Sequence, residues 1–328
     1  MWARIFISPA RALTPTRRRR RSSLAPLVIA TAAAALALVP ARAGTVYLLD
    51  VPPRLQYDEA GGYCGELSLQ QLMLPFGAWL PQQYARDAGD GELLLGVNYK
   101  QAMDAMKIKY MTWAGSGGYR AFIAWAKKQL MVNPRSGVVT VVYIKGLPDR
   151  QYDHIMPIVG VDTASPPTSY VYAAADVFFT NSGYSTAVIK RTASDWSCPY
   201  RTKKDGMATA GCVPSGTQWG HSITGAKYTG IGPAIALSLL SRADEPGPPG
   251  ARGVSMGATL MVTGLKVGGS YKVYKITDVA RVPSGPTAVG TLSAGDLLMT
   301  FTASAADWKT AVTFASDVPA WFIATVAA

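Results

Sequence analysis

Helical periodicity in this 328-residue chain comes early and gives way to strand-type patterning, and that order constrains the fold more than any other feature. Residues 67–79 hold an apolar stretch of Leu67, Leu69, Leu72, Met73, Leu74 and Phe76, with Pro75 placed to end or kink a helix. Residues 97–106 and 119–130 are further helical segments, the latter with Phe122, Trp125, Ala126 and Gln129 at helical spacing. Strands then take over at 137–144, 155–161, 170–180 and 186–190, an α+β layout. Residues 241–250, Ser-Arg-Ala-Asp-Glu-Pro-Gly-Pro-Pro-Gly, lack apolar periodicity and read as a linker. Beyond them, β-branched and apolar runs at 259–263, 271–279, 297–302, 311–315 and 321–326 suit a small all-β sandwich. The expected division is therefore 1–43 as a targeting segment, 44–241 as an α+β domain, 242–252 as a linker and 253–328 as the sandwich.

The first 43 residues contain eight arginines, five of them consecutive from Arg17 to Arg21, and no Asp or Glu. An apolar run from Leu24 to Val39 follows, shorter than the roughly 20 residues a membrane span needs. It closes on Ala41-Arg42-Ala43 before Gly44, a small-x-small cleavage pattern, so a secretory signal is expected and no stable membrane association after its removal. A two-part presequence directing the chain to an organelle lumen, or an uncleaved anchor, has similar features. Ser22 and Ser23 after the arginines argue against a twin-arginine signal. The formal charge is +12, of which residues 1–43 supply +8, leaving +4 on the remainder. That balance gives no case for nucleic-acid binding.

Of three cysteines, Cys198 and Cys212 lie close enough in sequence to pair, and export makes a disulfide between them plausible. Closing that loop contributes about 3 kcal/mol on a chain-entropy basis. Cys64 is left over, in Gly61-Gly62-Tyr63-Cys64-Gly65-Glu66 just ahead of the first apolar stretch. A glycine-rich turn delivering a cysteine to a helix N-terminus sets its sulfur beside unpaired N–H groups and the positive end of the helix dipole, which favour thiolate. The bland alternative is a small buried hydrophobe.

Only two histidines can serve as a base. His154 heads the strand Ile155 to Val161, whereas no comparable strand signal follows His221, which reads as structural. The next strand, Val177-Phe178-Phe179-Thr180, ends at Asn181 before Ser182-Gly183. Neighbouring strands would present His154 and Asn181 side by side, so that imidazole takes the thiol proton and the amide oxygen fixes the ring. Asp176 competes as orienter but lies an odd number of residues from Asn181, on the opposite face of a regular strand. Tyr57, Tyr63, Trp113 and Tyr152 are aromatic candidates for a cleft lining. Two histidines and a paired Cys198 and Cys212 leave too few ligands for a metal site, and no cofactor is expected.

Cys-Gly at a helix start, a later His opening an apolar strand, and an Asn on the next strand together resemble the papain fold. Within it the resemblance is nearest to proteins similar to bacteriocin-processing (double-glycine leader) peptidases, and it covers residues 50–190. The later segments Cys212-Val213-Pro214, Trp219-Gly220-His221-Ser222-Ile223-Thr224-Gly225 and Val262 to Leu265 look like largely uncharacterised secreted proteins of that type. The resemblance implies thiol peptidase chemistry, with Cys64 as nucleophile, His154 as base then acid, and Asn181 as orienter. Papain-like sequences carry an oxyanion glutamine six residues before the cysteine; here that position is Asp58, and Gln56, eight residues upstream, serves if the loop is two residues longer.

The function expected is hydrolysis of peptide or amide bonds, with a peptide or protein as substrate. A catalytically silent peptide- or glycan-binding protein on the same fold is the alternative that Asp58 favours, and a transglutaminase-like acyl transferase is a third. Export makes a prediction of its own: N-terminal sequencing of secreted protein begins at Gly44, and a membrane-retained product beginning at Met1 would refute the cleavage.

Overall fold

The computed structural model describes residues 44–57, 62–115, 117–142, 154–197, 213, 219–239, 254–285, 290 and 292–327. The chain divides into two units, residues 1–41 and 42–328, and all described residues belong to the second. Cys198, Cys212, Asp58, Tyr152 and the Pro/Gly-rich stretch lie outside the described residues.

The fold is α+β. Four α-helices run α1 Cys64–Met73, α2 Gln82–Asp87, α3 Tyr99–Ala105 and α4 Gly118–Val132. Helix α1 gives way to a 3-10 turn, Leu74–Phe76, where Pro75 removes a donor from the helical ladder. The main sheet is antiparallel and holds β1 Thr45–Leu48, β3 Ile108–Thr112, β4 Gly137–Val142, β5 His154–Thr163, β6 Val177–Thr180, β7 Ile189–Thr192 and β8 Gly220–Ala226. Its order is β3-β8-β4-β5-β6-β7, with β1 also on β5. Both faces are covered. Val139 and Val141 of β4 join the core shared with α1, while Val138 and Val142 join Phe122, Ile123 and Ala126 of α4 on the other side. Coverage on both faces explains why β4 reads as an unbroken apolar run.

Three strand expectations change. The strand expected at 186–190 starts only at Ile189 and runs to Thr192. Residues 170–176 are not strand: Tyr172 reaches the Tyr119 hydroxyl on α4, Lys127 bonds the Val171 carbonyl, and pairing starts only at Val177. His221, after which no comparable strand signal is legible, sits on β8 between β3 and β4; the small residues Gly220, Ser222 and Gly225 hide the β pattern.

The sandwich is built from a three-stranded sheet, β13-β10-β9, and a four-stranded one, β12-β11-β14-β2. These strands are β2 Ala78–Trp79, β9 Ala234–Leu239, β10 Ser255–Thr263, β11 Ser270–Ile276, β12 Leu297–Thr302, β13 Asp307–Ala315 and β14 Ala320–Val326. Alternate residues of β10, Met256, Ala258, Leu260 and Val262, face inward, the period-two signature of a half-buried strand. The sandwich starts upstream of the Pro/Gly-rich stretch, since β9 pairs with β10 from Ala234–Thr263 to Leu239–Ala258. It also takes β2 from the helical front, because β2 pairs with β14.

The join runs through residues 74–79. Gly77 adopts φ 74°, and a Cβ there would come 2.7 Å from Ile235 Cγ2, so only glycine fits. Its carbonyl accepts from the Phe322 N–H at 2.8 Å, and the Tyr228 hydroxyl donates to the Phe76 carbonyl at 3.0 Å. Trp79, fully buried, donates its Nε1 proton to the Ser316 carbonyl at 3.0 Å and lies 5.3 Å from Phe314. Trp79→Ala is therefore expected to destabilise the protein by about 3–5 kcal/mol, by cavity formation and a lost buried hydrogen bond. Urea unfolding of the 44–328 protein checks this, with loss of one common transition rather than of a separate sandwich transition.

Candidate functional site

A turn through Gly62, at φ 67°, delivers Tyr63 to the cap position and Cys64 to the first position of α1. The first turn of that helix presses close to β5. A Cβ on Gly65 would stand 3.0 Å from Ile155 Cδ1 and 3.2 Å from the Leu93 carbonyl, so a side chain there would push the turn bearing Cys64 off the strand. Cys64 is half-buried, and its Sγ accepts a hydrogen bond from the Ile155 N–H at 3.3 Å. Ile155 is the residue after His154, so the thiol contacts the main chain at the head of the strand that His154 opens.

His154 is almost completely buried at the head of β5, where it pairs with Val142 of β4. Its Nε2 lies 2.8 Å from the Ser182 carbonyl, and its ring stacks on Tyr184 at 5.1 Å between centroids. A carbonyl only accepts, so Nε2 holds the proton and Nδ1 is left as the acceptor nitrogen of the neutral ring. Among the described residues no hydrogen bond joins the imidazole to the thiol.

The expected bond from His154 to the Asn181 side chain is not made. Asn181 donates through Nδ2 to the Arg54 carbonyl at 2.8 Å and to Gln71 Oε1 at 3.2 Å, while its Oδ1 accepts from the Gly183 N–H at 3.0 Å. It therefore shapes the 181–183 turn, and the turn supplies the Ser182 carbonyl. Backbone groups carry no side-chain signature, and the Asn-Ser-Gly turn motif was the available clue. Gln56 approaches the same turn: its N–H donates to the Gly183 carbonyl at 3.0 Å. Its buried amide lies near Gly183, where a Cβ would stand 3.7 Å from Gln56 Cγ and Nε2. Neither end of that amide has a hydrogen-bond partner among the described residues. An unpaired buried amide is costly in a resting protein and useful where a developing oxyanion needs a donor.

Other candidates are spent elsewhere. Asp176 pairs with Lys127 at 2.8 Å in a buried ion pair. Trp113 packs on Phe122 and Trp125 beside α4. Tyr57 and Tyr63 stand 5.7 Å apart at the turn before Cys64. His221 stacks on Tyr99, with Nδ1 3.1 Å from Thr112 Oγ1, and makes no hydrogen bond to Cys64 or His154. Among the described residues no group of three His, Cys, Asp or Glu could hold a metal ion, and no helix is long and apolar enough to cross a membrane.

Burial, not the helix dipole, dominates the electrostatics. It pushes the Cys64 thiol up to about 11, with the Ile155 N–H opposing and the Glu66 carboxylate adding to the rise. Burial also pushes the His154 imidazole down to about 4, against the opposing pull of the Ser182 carbonyl. The resting pair is thus a neutral thiol and a neutral imidazole at pH 7, where the helix N-terminus alone leads one to expect a thiolate.

Comparison with known proteins finds no matching family model, no matching curated protein and no matching solved structure.

His154 and His221 predict the acid response. Burial lowers both to about 4, against about 6.5 in an unfolded chain. Between those values the unfolded chain binds protons that the native state excludes, so stability is full above about pH 6.5 and falls as pH drops through 4. Urea unfolding is expected to show a loss of about 2 kcal/mol per ring between pH 7 and pH 5, and His221→Gln to remove about half of that slope. Equal stability at the two pH values would contradict the assignment.

Proposed function

We propose that this chain is a secreted papain-like thiol hydrolase of peptide or amide bonds, with Cys64 as nucleophile, His154 as base and then acid, and Gln56 as oxyanion donor. One observation carries the reading. Cys64 opens a helix with its sulfur 3.3 Å from the main-chain N–H next to a histidine, and that histidine is held as the Nε2–H tautomer by a carbonyl. A helix presenting cysteine to an antiparallel strand headed by histidine is also the relation that the papain-like resemblance requires.

In this mechanism the thiol proton passes to Nδ1 of His154 as sulfur bonds to the substrate carbonyl carbon. The tetrahedral oxyanion forms near donors such as the Cys64 main-chain N–H, which has no partner within the helix, and the Gln56 amide. Collapse breaks the C–N bond, and the imidazolium returns its proton to the departing amine. Water, deprotonated by the same nitrogen, then hydrolyses the thioester and restores the thiol. Asn181 and Ser182 act indirectly, by fixing the ring.

Secretion accompanies this reading, on the Ala41-Arg42-Ala43 cleavage pattern that closes the apolar run. A Cys198–Cys212 disulfide belongs to it as well. Val213 donates its N–H to the Trp196 carbonyl at 3.2 Å, which brings together the chain on either side of the two cysteines.

A silent peptide-binding protein is the second reading, and the neutral, buried thiol with no bond to the imidazole favours it. The two separate on reactivity. A peptide-based thiol electrophile is expected to label Cys64 far faster than iodoacetamide at pH 7, because a bound peptide recruits His154 whereas the small reagent meets a protonated thiol. Cys64→Ala should abolish hydrolysis, and Gln56→Ala should slow it by roughly 10²- to 10³-fold. Equal labelling by both reagents, with no turnover across a broad peptide panel, would establish the binding reading.

A further inference from the structure

Glu66, two residues after the nucleophile, is completely buried, and its Oε1 accepts from Arg86 Nε at 2.8 Å and from the Leu93 N–H at 3.4 Å. Its other oxygen, Oε2, has no hydrogen-bond partner among the described residues. Arg86 reaches across from α2 to do more than neutralise the acid. Its Nη2 donates to the Gly62 carbonyl at 3.0 Å, and its guanidinium lies 3.5 Å above the Tyr63 ring. Tyr63 in turn donates its hydroxyl proton to Gln83 Oε1 at 2.6 Å, one helical turn before Arg86. Both residues that precede Cys64 are thus gripped by α2, and the residue two beyond it anchors the grip.

We infer that Glu66 and Arg86 form a device that positions and restrains the nucleophile: Arg86 locks the Gly62–Tyr63 turn, and the half-compensated Glu66 carboxylate opposes formation of negative charge on the Cys64 sulfur. The inference rests on Cys64 being the reactive group of the proposed hydrolase. Its logic is electrostatic and geometric. A buried carboxylate engaged on one oxygen keeps part of its field, and a thiolate on the same turn of helix feels it directly. The planar guanidinium alone can make the Nε and Nη2 bonds while stacking on the tyrosine ring, which lysine cannot. Among the described residues, the other charged or titratable groups near this turn include Tyr57, 5.7 Å from the Tyr63 ring, Glu92, whose Oε1 lies 3.4 Å from a Cβ position on Gly62, Asp87 at the end of α2, His154 on β5 and the Tyr99 hydroxyl on α3, which donates to the Gly65 carbonyl. Glu66 is the nearest acid in sequence to the sulfur, and it adds to the rise of the thiol.

The test reads the sulfur itself and needs no substrate: iodoacetamide alkylation of the 44–328 protein across pH 6–11, with Cys64 adducts quantified by peptide mass spectrometry. Glu66→Gln keeps the acceptor oxygen and the shape, removes the negative charge and leaves Arg86 positive. Its alkylation midpoint is expected to fall by about one pH unit, giving about tenfold faster labelling at pH 7.5. Arg86→Lys keeps both charges and loses the fork. It is expected to label several-fold faster at every pH with the midpoint held, because the turn loosens while the field stays. If Glu66→Gln fails to fold, by circular dichroism, Arg86→Lys decides. Midpoints and rates equal to the wild type in the folded variants would overturn the inference. Shifted profiles in a protein that hydrolyses nothing would uphold it and sink the hydrolase reading instead.

Discussion

The rest of the structure depends on the left-handed turn at Gly77. It redirects the chain as it leaves the cysteine-bearing helix and sends two residues into the sandwich as β2, so that Trp79 enters the sandwich core. No side chain fits at that position, because Ile235 and the Phe322 carbonyl already occupy the space. Helix α1 is consequently held at both ends: by the strand–carbonyl–guanidinium contacts around Cys64 at its start, and by the sandwich just beyond its finish. A helix pinned in this way cannot slide along its axis.

Four influences compete at Cys64. The helix terminus and the Ile155 N–H stabilise a thiolate, while exclusion of water and the Glu66 carboxylate oppose it, and exclusion of water is the largest. The same exclusion keeps His154 unprotonated. A dry neutral pair stores no charge separation at rest. On the proposed hydrolase reading, charge would appear only as proton transfer and bond formation occur together, with the unpaired Gln56 amide among the donors able to meet it.

Much of the scaffold was legible because it follows simple periodicities. Strand β12 spans the expected 297–302, and α4 runs slightly beyond the expected 119–130 at both ends. The helix opening at Cys64 and the strand headed by His154 follow from a glycine turn before one apolar run and a histidine at the start of another. Short or pattern-poor elements were not legible. The two residues of β2 have no periodicity to read, and β8 alternates glycine and serine with its larger residues. At the site, residue type pointed to Cys64 and His154 and the papain-like resemblance to Gln56, but the group bonded to the imidazole is a main-chain carbonyl, which any residue could supply. The Glu66–Arg86 contact joins residues 20 apart through the packing of two helices, a tertiary relation that no local spacing encodes.

Strand β9 comes before the Pro/Gly-rich stretch in sequence and yet completes the sheet built on β10, while β2 comes from far earlier and borders β14. The boundary visible in composition is therefore a covalent one that the folded architecture ignores. A gene truncated or shuffled there would encode two fragments, each missing part of its own sheet. One would expose the unpaired edges and apolar faces of β10 and β14, and the other would carry two orphan strands. A module can be gained or lost whole only when its sheets are complete by themselves, and these two sheets are not.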